Sequence, residues 1–550
     1  MKDWQGNLTQ FNAERAAAYR AEGWWPQTTL AGYLDTAAAA TPDKTAIVDR
    51  SGRLTYAELK KLVDRVGDGL VSLGVEPGDV VTVQLPNWHE MLVLATACSR
   101  IGAVFNGIAP IFRGRDMKAM LELARPMVLV VPGVFRGFDH AEMGARLLEQ
   151  IPSISTLIVV GDEVPQAARS WAGFISTEWA FSGDARMGRD PDEVCQVAFT
   201  SGTTGMPKGI LHTHNTALAA TKAFVDRFGL GADDVFHMAS TLGHQTGFLY
   251  GLQMPLVTGS KLVLQDHWDP EEFVRLINEE GITMTNGAIP YLSDLLHASN
   301  LSQYDVSSLR LFGCFGAGLP RPIAIRAARA LPQCKIFGGW GMTETGLSVT
   351  NLSDDSLELV CDTDGLPVPG TEIRIFDDGL ADECPVDTEG ELVTRGPLRH
   401  LGFVQRELSQ TLFLDGDWYV TGDRGKIRLD GRLIMTTRSK DIIVRGGENV
   451  PVAEVEALLL EHPSVRGIAI VGVPDERLGE MACACVICEP SQSFDLEEMR
   501  AFLEEKDLTR QYWPERLECF EEFPTTASGK TQKFKLRELL ALRTPGATSR

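Results

Sequence analysis

One stretch of this 550-residue chain limits its possibilities more than any other: Phe199 to Ile210, reading FTSGTTGMPKGI. The hydroxyls of Thr200, Ser201, Thr203 and Thr204 are interleaved with Gly202 and Gly205, and Lys208 follows Pro207. Glycine reaches positive φ without steric cost, so consecutive backbone N–H groups can turn inward as an anion-binding nest. The hydroxyls add donors and an oxygen ligand for Mg²⁺, and Lys208 adds a mobile point charge. Val194, Val197, Ala198 and Phe199 predict a strand feeding the loop. The combination suits a polyphosphate such as ATP. It is not the GxxxxGK[ST] loop, and the near match PTTASGKT at Pro524–Thr531 lacks both the first glycine and a strand leading into it.

Around this loop the pattern alternates helix and strand. Thr55 and Glu58 form a capping box ahead of Leu59, Leu62, Val63, Val66 and Leu70, a helical spacing that stops at Gly74. Val80–Leu85, Met127–Val131, Lys261–Leu264, Leu309–Phe312 and Lys335–Phe337 read as strands. Asp269 opens a helix that Gly281 closes. This predicts α/β architecture with mainly parallel sheets. From about residue 365 the texture turns to short strands (Glu372–Phe376, Glu391–Thr394, Lys426–Leu429), and beyond Arg438 to a smaller α+β unit. That unit has helices around Val452–Leu460 and from Asp495, with strands at Gly467–Val471 and Met481–Cys488.

The formal charge of −22 argues against a nucleic-acid or anionic-membrane partner, while local donors decide nucleotide binding. The polar N-terminal residues predict no signal peptide, and no stretch reads as a membrane span, so a cytoplasmic location is expected. Met91–Phe112 is the most apolar run, but Arg100 and Asn106 interrupt it, which fits buried α/β structure. Ten cysteines in this length are no disulfide scaffold. In MACACVICE, Cys483 and Cys485 share one strand face and Cys488 takes the other, so buried strand cysteines are expected rather than a metal site.

Four further segments carry chemistry. GCFGAGLP (Gly313–Pro320) would let a flat ring approach the backbone, although a tight turn reads equally well. In GGWGMTETG (Gly338–Gly346), Trp340 can stack on a base or fill the core, Thr343 can bond a phosphate, and Glu344 offers a hard oxygen to Mg²⁺. Asp423 in YVTGD can accept two ribose hydroxyls. Lys530, after Ser528-Gly529, presents an ammonium group on a glycine turn.

With these in order, the chain resembles the adenylate-forming superfamily of acyl-CoA ligases, adenylation domains and luciferases, over about residues 30 to 540. The resemblance implies an N-terminal domain over 1–437, holding ATP, the acyl pocket and a small β-barrel-like subdomain. A hinge at 438–440 and a mobile C-terminal domain over 441–550 would follow. It implies ATP/AMP contacts from Thr200, Ser201, Gly202, Thr203, Thr204, Gly205, Lys208, Gly316, Ala317, Gly318, Gly339, Trp340, Gly341, Met342, Thr343, Asp423, Arg438 and Lys530. Thr200 and Glu344 would be the Mg²⁺ ligands, and Lys530, Lys440 and His244 the catalytic residues, with Lys440 at the hinge. Gly446, Gly447 and Glu448 would line the coenzyme A channel. His244, Gly247, Gly287, Ala288 and Gly339 would line the acyl pocket. The family usually has tyrosine where this chain has Trp340; stacking survives that change and a phenolic hydrogen bond does not.

The implied reaction joins a small carboxylate to coenzyme A, using ATP and Mg²⁺, through an acyl-adenylate. YRAEGWWPQ (Tyr19–Gln27) and Arg438–Glu456 look most like ligases for alicyclic and medium-chain carboxylates, a place in fatty acid metabolism. Dihydroxybenzoate-activating relatives tend to carry Asn where this chain has Gln245, and no charged residue obviously enters the acyl pocket. The alternative is an enzyme that loads the acyl group onto a carrier protein. A non-catalytic sensor would not need Lys530, and nothing singles out a luciferase-like oxygenase. His244 as a satisfied structural histidine, and Arg445, Lys533 and Lys535 as solvated charges, are the plain structural expectations. Pro524 to Lys530 also resembles sites where related ligases are acetylated, so modification of Lys530 is an expectation.

Overall fold

The computed structural model describes residues 11, 13–180, 190–200, 207–316, 319, 321–377, 379–438, 443–524 and 533–542. The side chains of Pro322, Thr437, Arg438, Ala453, Ala457 and Phe534 lie outside this description. The chain divides into two compact units. The larger runs to Thr437; the smaller begins at Arg438 and includes Ile111–Ala119.

Two large sheets build the first unit. One has nine strands, with a parallel centre from Thr45–Asp49 through Lys261–Leu264, Val235–Met238, Met284–Gly287 and Leu311–Cys314 to Lys335–Met342. Antiparallel strands close both of its edges. The other has eight strands, and its core of Val80–Val83, Val104–Gly107, Val128–Pro132 and Thr156–Val160 is likewise parallel. The helix His89–Ile101 is buried along its length, the usual state of a helix in an α/β core, and it absorbs the apolar run noted in the sequence. A five-stranded antiparallel sheet contains Glu372–Phe376, Gly390–Arg395, Phe413–Leu414, Trp418–Ile427 and Leu433–Arg438.

Local signals explain many boundaries. Thr55 caps Tyr56–Ser72 with a full capping box, Glu58 returning a bond to the Thr55 N–H. Asp269 caps Pro270–Glu280, and Gly281 ends it at φ +67°. One strand departs from its sequence expectation. Lys426–Leu429 is not a strand of its own: Trp418–Ile427 ends within it and a turn follows, closed by the bond from Gly431 N to Arg428 O. Asp430-Gly431 is a turn signal that overrides the short apolar alternation before it.

In the smaller unit, Val465–Asp475 and Gly479–Cys488 pair antiparallel over their length. Cys483 and Cys485 pack against Leu536 and Leu540, while Cys488 packs on the opposite face beside Val486. Gly446 and Gly447 form the two-residue turn between Ile443–Arg445 and Glu448–Val450, both at positive φ, which favours glycine for steric reasons. Two side chains expected to be solvated are instead paired. Arg445 forms an ion pair with Glu515 and donates to the Gln511 carbonyl, and Lys533 sits 2.8 Å from Glu456. Each finds its carboxylate on a segment distant in sequence, so local composition could not show the pairing.

Candidate active site

Three sheets meet at the turn Thr343–Thr345. It joins Lys335–Met342 to Gly346–Thr350 on the nine-stranded sheet. Lys208–Thr213 lies on the eight-stranded sheet and Trp418–Ile427 on the five-stranded one. Gly339 lets the two strands flanking the turn pair closely: a Cβ there would stand 2.3 Å from the Val349 carbonyl. At the junction two carboxylates are buried, Glu344 and Asp423, each 6% exposed.

Neutral donors hold both. Tyr419 donates its hydroxyl to Glu344 Oε1 at 3.2 Å, and Trp340 donates Nε1–H to Asp423 Oδ2 at 2.9 Å. The Trp340 ring packs with Val349, Ile375, Leu392 and Leu433, so the core alternative describes the ring while its N–H reaches the second carboxylate. Burial pushes the Glu344 carboxyl above its ordinary range, against the pull of Lys208 and the Tyr419 hydroxyl, and the nearby Asp423 charge pushes the same way. Burial, with Glu344 alongside, drives the Tyr419 phenol well above its usual value, so it stays a donor.

The backbone of the turn is clamped from below. His212 donates Nε2–H to the Thr343 carbonyl at 2.8 Å, and Nδ1 faces Thr216 Oγ1 at 3.1 Å. His400 gives the Glu344 carbonyl its backbone N–H at 2.8 Å and Nδ1–H at 3.1 Å. Burial lowers His212 to about 4 and His400 well below its usual value, so both rings are neutral. His400 sits among Phe403, Phe413 and Tyr419. The sequence reading missed His212, His400 and Tyr419. Only Tyr419 carried a signal, lying in the YVTGD segment.

Thr200 ends the strand Val194–Thr200 and Lys208 begins Lys208–Thr213. Ser201, Gly202, Thr203, Thr204 and Gly205 lie outside the described residues, as do Ala317, Gly318, Lys440 and Lys530. Gly316 is described, exposed at φ +93°. Gly341 and Met342 belong to the same strand as Trp340, and Arg438 ends Leu433–Arg438.

Of the residues expected at the acyl pocket, His244 is half-buried at the start of a short helical turn, and among the described residues no hydrogen bond to its ring is present. The satisfied-histidine expectation therefore does not describe it. The loop before it is fixed by Asn87, which donates to the Ser240 and Gln265 carbonyls and accepts from Leu242 N. Gln245 is buried and shares a reciprocal amide pair with Gln196, at 2.9 and 3.3 Å. Gly247 is required by packing, since a Cβ would meet the Thr241 carbonyl at 2.0 Å. Gly287 ends the strand Met284–Gly287 and Ala288 caps the next helix.

Residues 34–403 match the AMP-binding enzyme family and residues 454–530 match the AMP-binding enzyme C-terminal domain. The chain is 36% identical over 533 residues to an Escherichia coli medium-chain fatty-acid–CoA ligase, covering 96% of this chain and 93% of that one. It is 33% identical to a salicyl-AMP ligase / salicyl-S-ArCP synthetase of Mycobacterium tuberculosis, covering 99% and 96%. Among solved structures, the amide bond synthetase McbA of Marinactinospora thermotolerans superposes with a TM-score of 0.83 at 28% identity, covering 93% of this chain and 99% of that one. The chain belongs to the AMP-binding enzyme family, the adenylate-forming acid ligases.

Proposed function

We propose that this chain is an acid–CoA ligase that activates a neutral, apolar carboxylate of the alicyclic or medium-chain type. The observation that carries the reading is the buried pair Glu344 and Asp423, held by neutral donors in a family of adenylate-forming enzymes. The likeness to a medium-chain fatty-acid–CoA ligase supports the acyl class. So does the Gln245–Gln196 pair, which leaves the Gln245 amide engaged rather than offered to a substrate hydroxyl.

In the first half-reaction a carboxylate oxygen attacks the α-phosphorus of ATP. The new P–O bond forms as the bond to pyrophosphate breaks, leaving an acyl-adenylate. Positioning and electrostatics supply most of the help in such transfers. Asp423 accepts the ribose hydroxyls, and Trp340 fixes the Asp423 rotamer. The Thr343 hydroxyl bonds a phosphate, its backbone held by His212. Residues 200–205 and Lys208 cradle the polyphosphate with Gly316–Gly318 at the base, and Lys530 neutralises charge on the α-phosphate oxygens. Arg438 contacts the nucleotide.

The donor set fits Mg²⁺: Glu344 is a buried hard carboxylate whose hydrogen-bonding partner, Tyr419, is neutral, and Thr200 offers a hydroxyl. A bound Mg²⁺ would neutralise phosphate charge. In the second half-reaction a thiol attacks the adenylate carbonyl, the C–S bond forms and AMP leaves. The smaller unit turns about Lys440, withdrawing Lys530 and presenting Gly446, Gly447 and Glu448 to the pantetheine arm. His244 borders the reacting carboxylate.

The likeness to a salicyl-AMP ligase / salicyl-S-ArCP synthetase keeps one rival acceptor, a carrier protein. Incubation with MgATP and a panel of carboxylic acids, with and without CoA, separates the two. An alicyclic or medium-chain acid should release pyrophosphate and consume CoA to a thioester. Pyrophosphate release with no loss of CoA thiol would overturn the CoA assignment and favour the carrier protein.

A further inference from the structure

The larger unit holds a second buried carboxylate cluster that shares no residue with the nucleotide site. Asp49 ends the strand Thr45–Asp49, and His89 and Glu90 open the helix His89–Ile101. All three side chains are mostly buried, at 3%, 14% and 6% exposure. Their ligand atoms lie within 4.8 Å of one another: His89 Nδ1 is 3.0 Å from Asp49 Oδ2 and 3.4 Å from Glu90 Oε2. Ser51 Oγ stands 3.2 Å from the same nitrogen.

Ordinary helix capping accounts for part of this. Asp49 Oδ2 accepts the His89 backbone N–H at 2.9 Å, and a carboxylate in the first helical turn complements the dipole. Capping does not account for Glu90 Oε2, which is buried and accepts no hydrogen bond. Arg50 does not fill the gap. Its guanidinium lies over the Trp88 ring, 3.6 Å from the centroid, and its approach to Glu90 is to the other oxygen, at 3.7 Å.

The spacing has a chemical reading. A tetrahedral ion with ligand distances of about 2.0–2.1 Å sets its ligand atoms about 3.3–3.4 Å apart. The separations around Nδ1 bracket that edge, and one imidazole with two carboxylates is a donor set suited to a borderline divalent ion. We propose that Asp49, His89 and Glu90 form a binding site for a divalent transition-metal ion of the zinc type, with Ser51 or a water completing the shell. Such an ion joins the end of the first strand to the start of the buried helix. It does not depend on the ligase reading.

The test uses the full-length chain stripped with chelator, dialysed and titrated with Zn²⁺ alone, without ATP. Bound zinc is counted by mass spectrometry against H89A and the near-isosteric E90Q. H267A serves as the control at a more exposed cluster of similar composition, His267, Asp269 and Glu272. The wild type and H267A should bind one more equivalent than either cluster variant. Co²⁺ on the wild type should give the intense visible bands of four-coordination, lost in both cluster variants. Equal stoichiometry in all four proteins would overturn the proposal and leave the cluster as a capped ion pair. If H89A fails to fold, E90Q still decides the matter.

Discussion

The two buried carboxylate clusters of the larger unit meet the same electrostatic problem with different neighbours. Glu344 and Asp423 accept hydrogen bonds from a phenol and an indole, and the clamps beneath are two neutral histidines. Neutral donors fix geometry without cancelling charge, and Lys208 also draws on Glu344. Around Asp49 and Glu90 the neighbours can themselves carry charge, His89 and Arg50, yet Glu90 Oε2 accepts no hydrogen bond. The first cluster is oriented by dipoles; the second is partly compensated by ions, and the one carboxylate oxygen they leave unbonded is its opening for a cation.

Substitutions at each cluster should therefore read out differently. The largest effect belongs to Glu344→Gln, which keeps an acceptor for Tyr419 but removes the charge. Pyrophosphate release should fall about 10²–10³-fold, the usual cost of losing one preorganised electrostatic contact, with little change in unfolding temperature. Next comes pH. The His212 ring titrates near 4 when folded, against about 6.5 unfolded, because burial disfavours its cation. Its contribution is present above pH 6.5 and lost as pH falls toward 4, on the order of 3 kcal/mol. His212→Asn should flatten the acid limb of a stability–pH curve over that window.

Asp423→Asn removes a charged acceptor. KM for ATP should rise about 10-fold or more, with a smaller change in kcat, since hydrogen bonds to charged groups contribute roughly 1.5–3 kcal/mol. At the other cluster, Asp49→Asn should appear in thermal unfolding, at about 1–2 kcal/mol, as expected for weakening a helix cap. The smallest effect on activity is Tyr419→Phe, which removes one long hydrogen bond to the Glu344 carboxylate, about 1.5 kcal/mol at the low end for bonds to charged groups. It should raise the Mg²⁺ concentration needed for half-maximal rate a few-fold.

Much of this was legible in the chain because the signals are local. The Thr55 capping box, the Asp269 cap and the opposite faces of Cys483 and Cys488 follow from spacing alone. The carboxylates Glu344 and Asp423 were legible as parts of motifs. Their partners were not: Trp340 meets Asp423 across 83 residues, and His400 meets Glu344 across 56. Those pairs exist only because three sheets converge at one turn, and no periodicity within a segment encodes that. The same holds for Arg445 and Lys533, whose carboxylates arrive from elsewhere in the smaller unit.

The central claim, that the junction at Thr343, Glu344 and Asp423 serves adenylate formation, is most directly tested by ATP–pyrophosphate exchange with the wild-type chain, without CoA. Exchange that appears only when a carboxylic acid and Mg²⁺ are both present is the predicted result. Exchange independent of added acid, or none with any alicyclic, medium-chain or aryl acid, would contradict it.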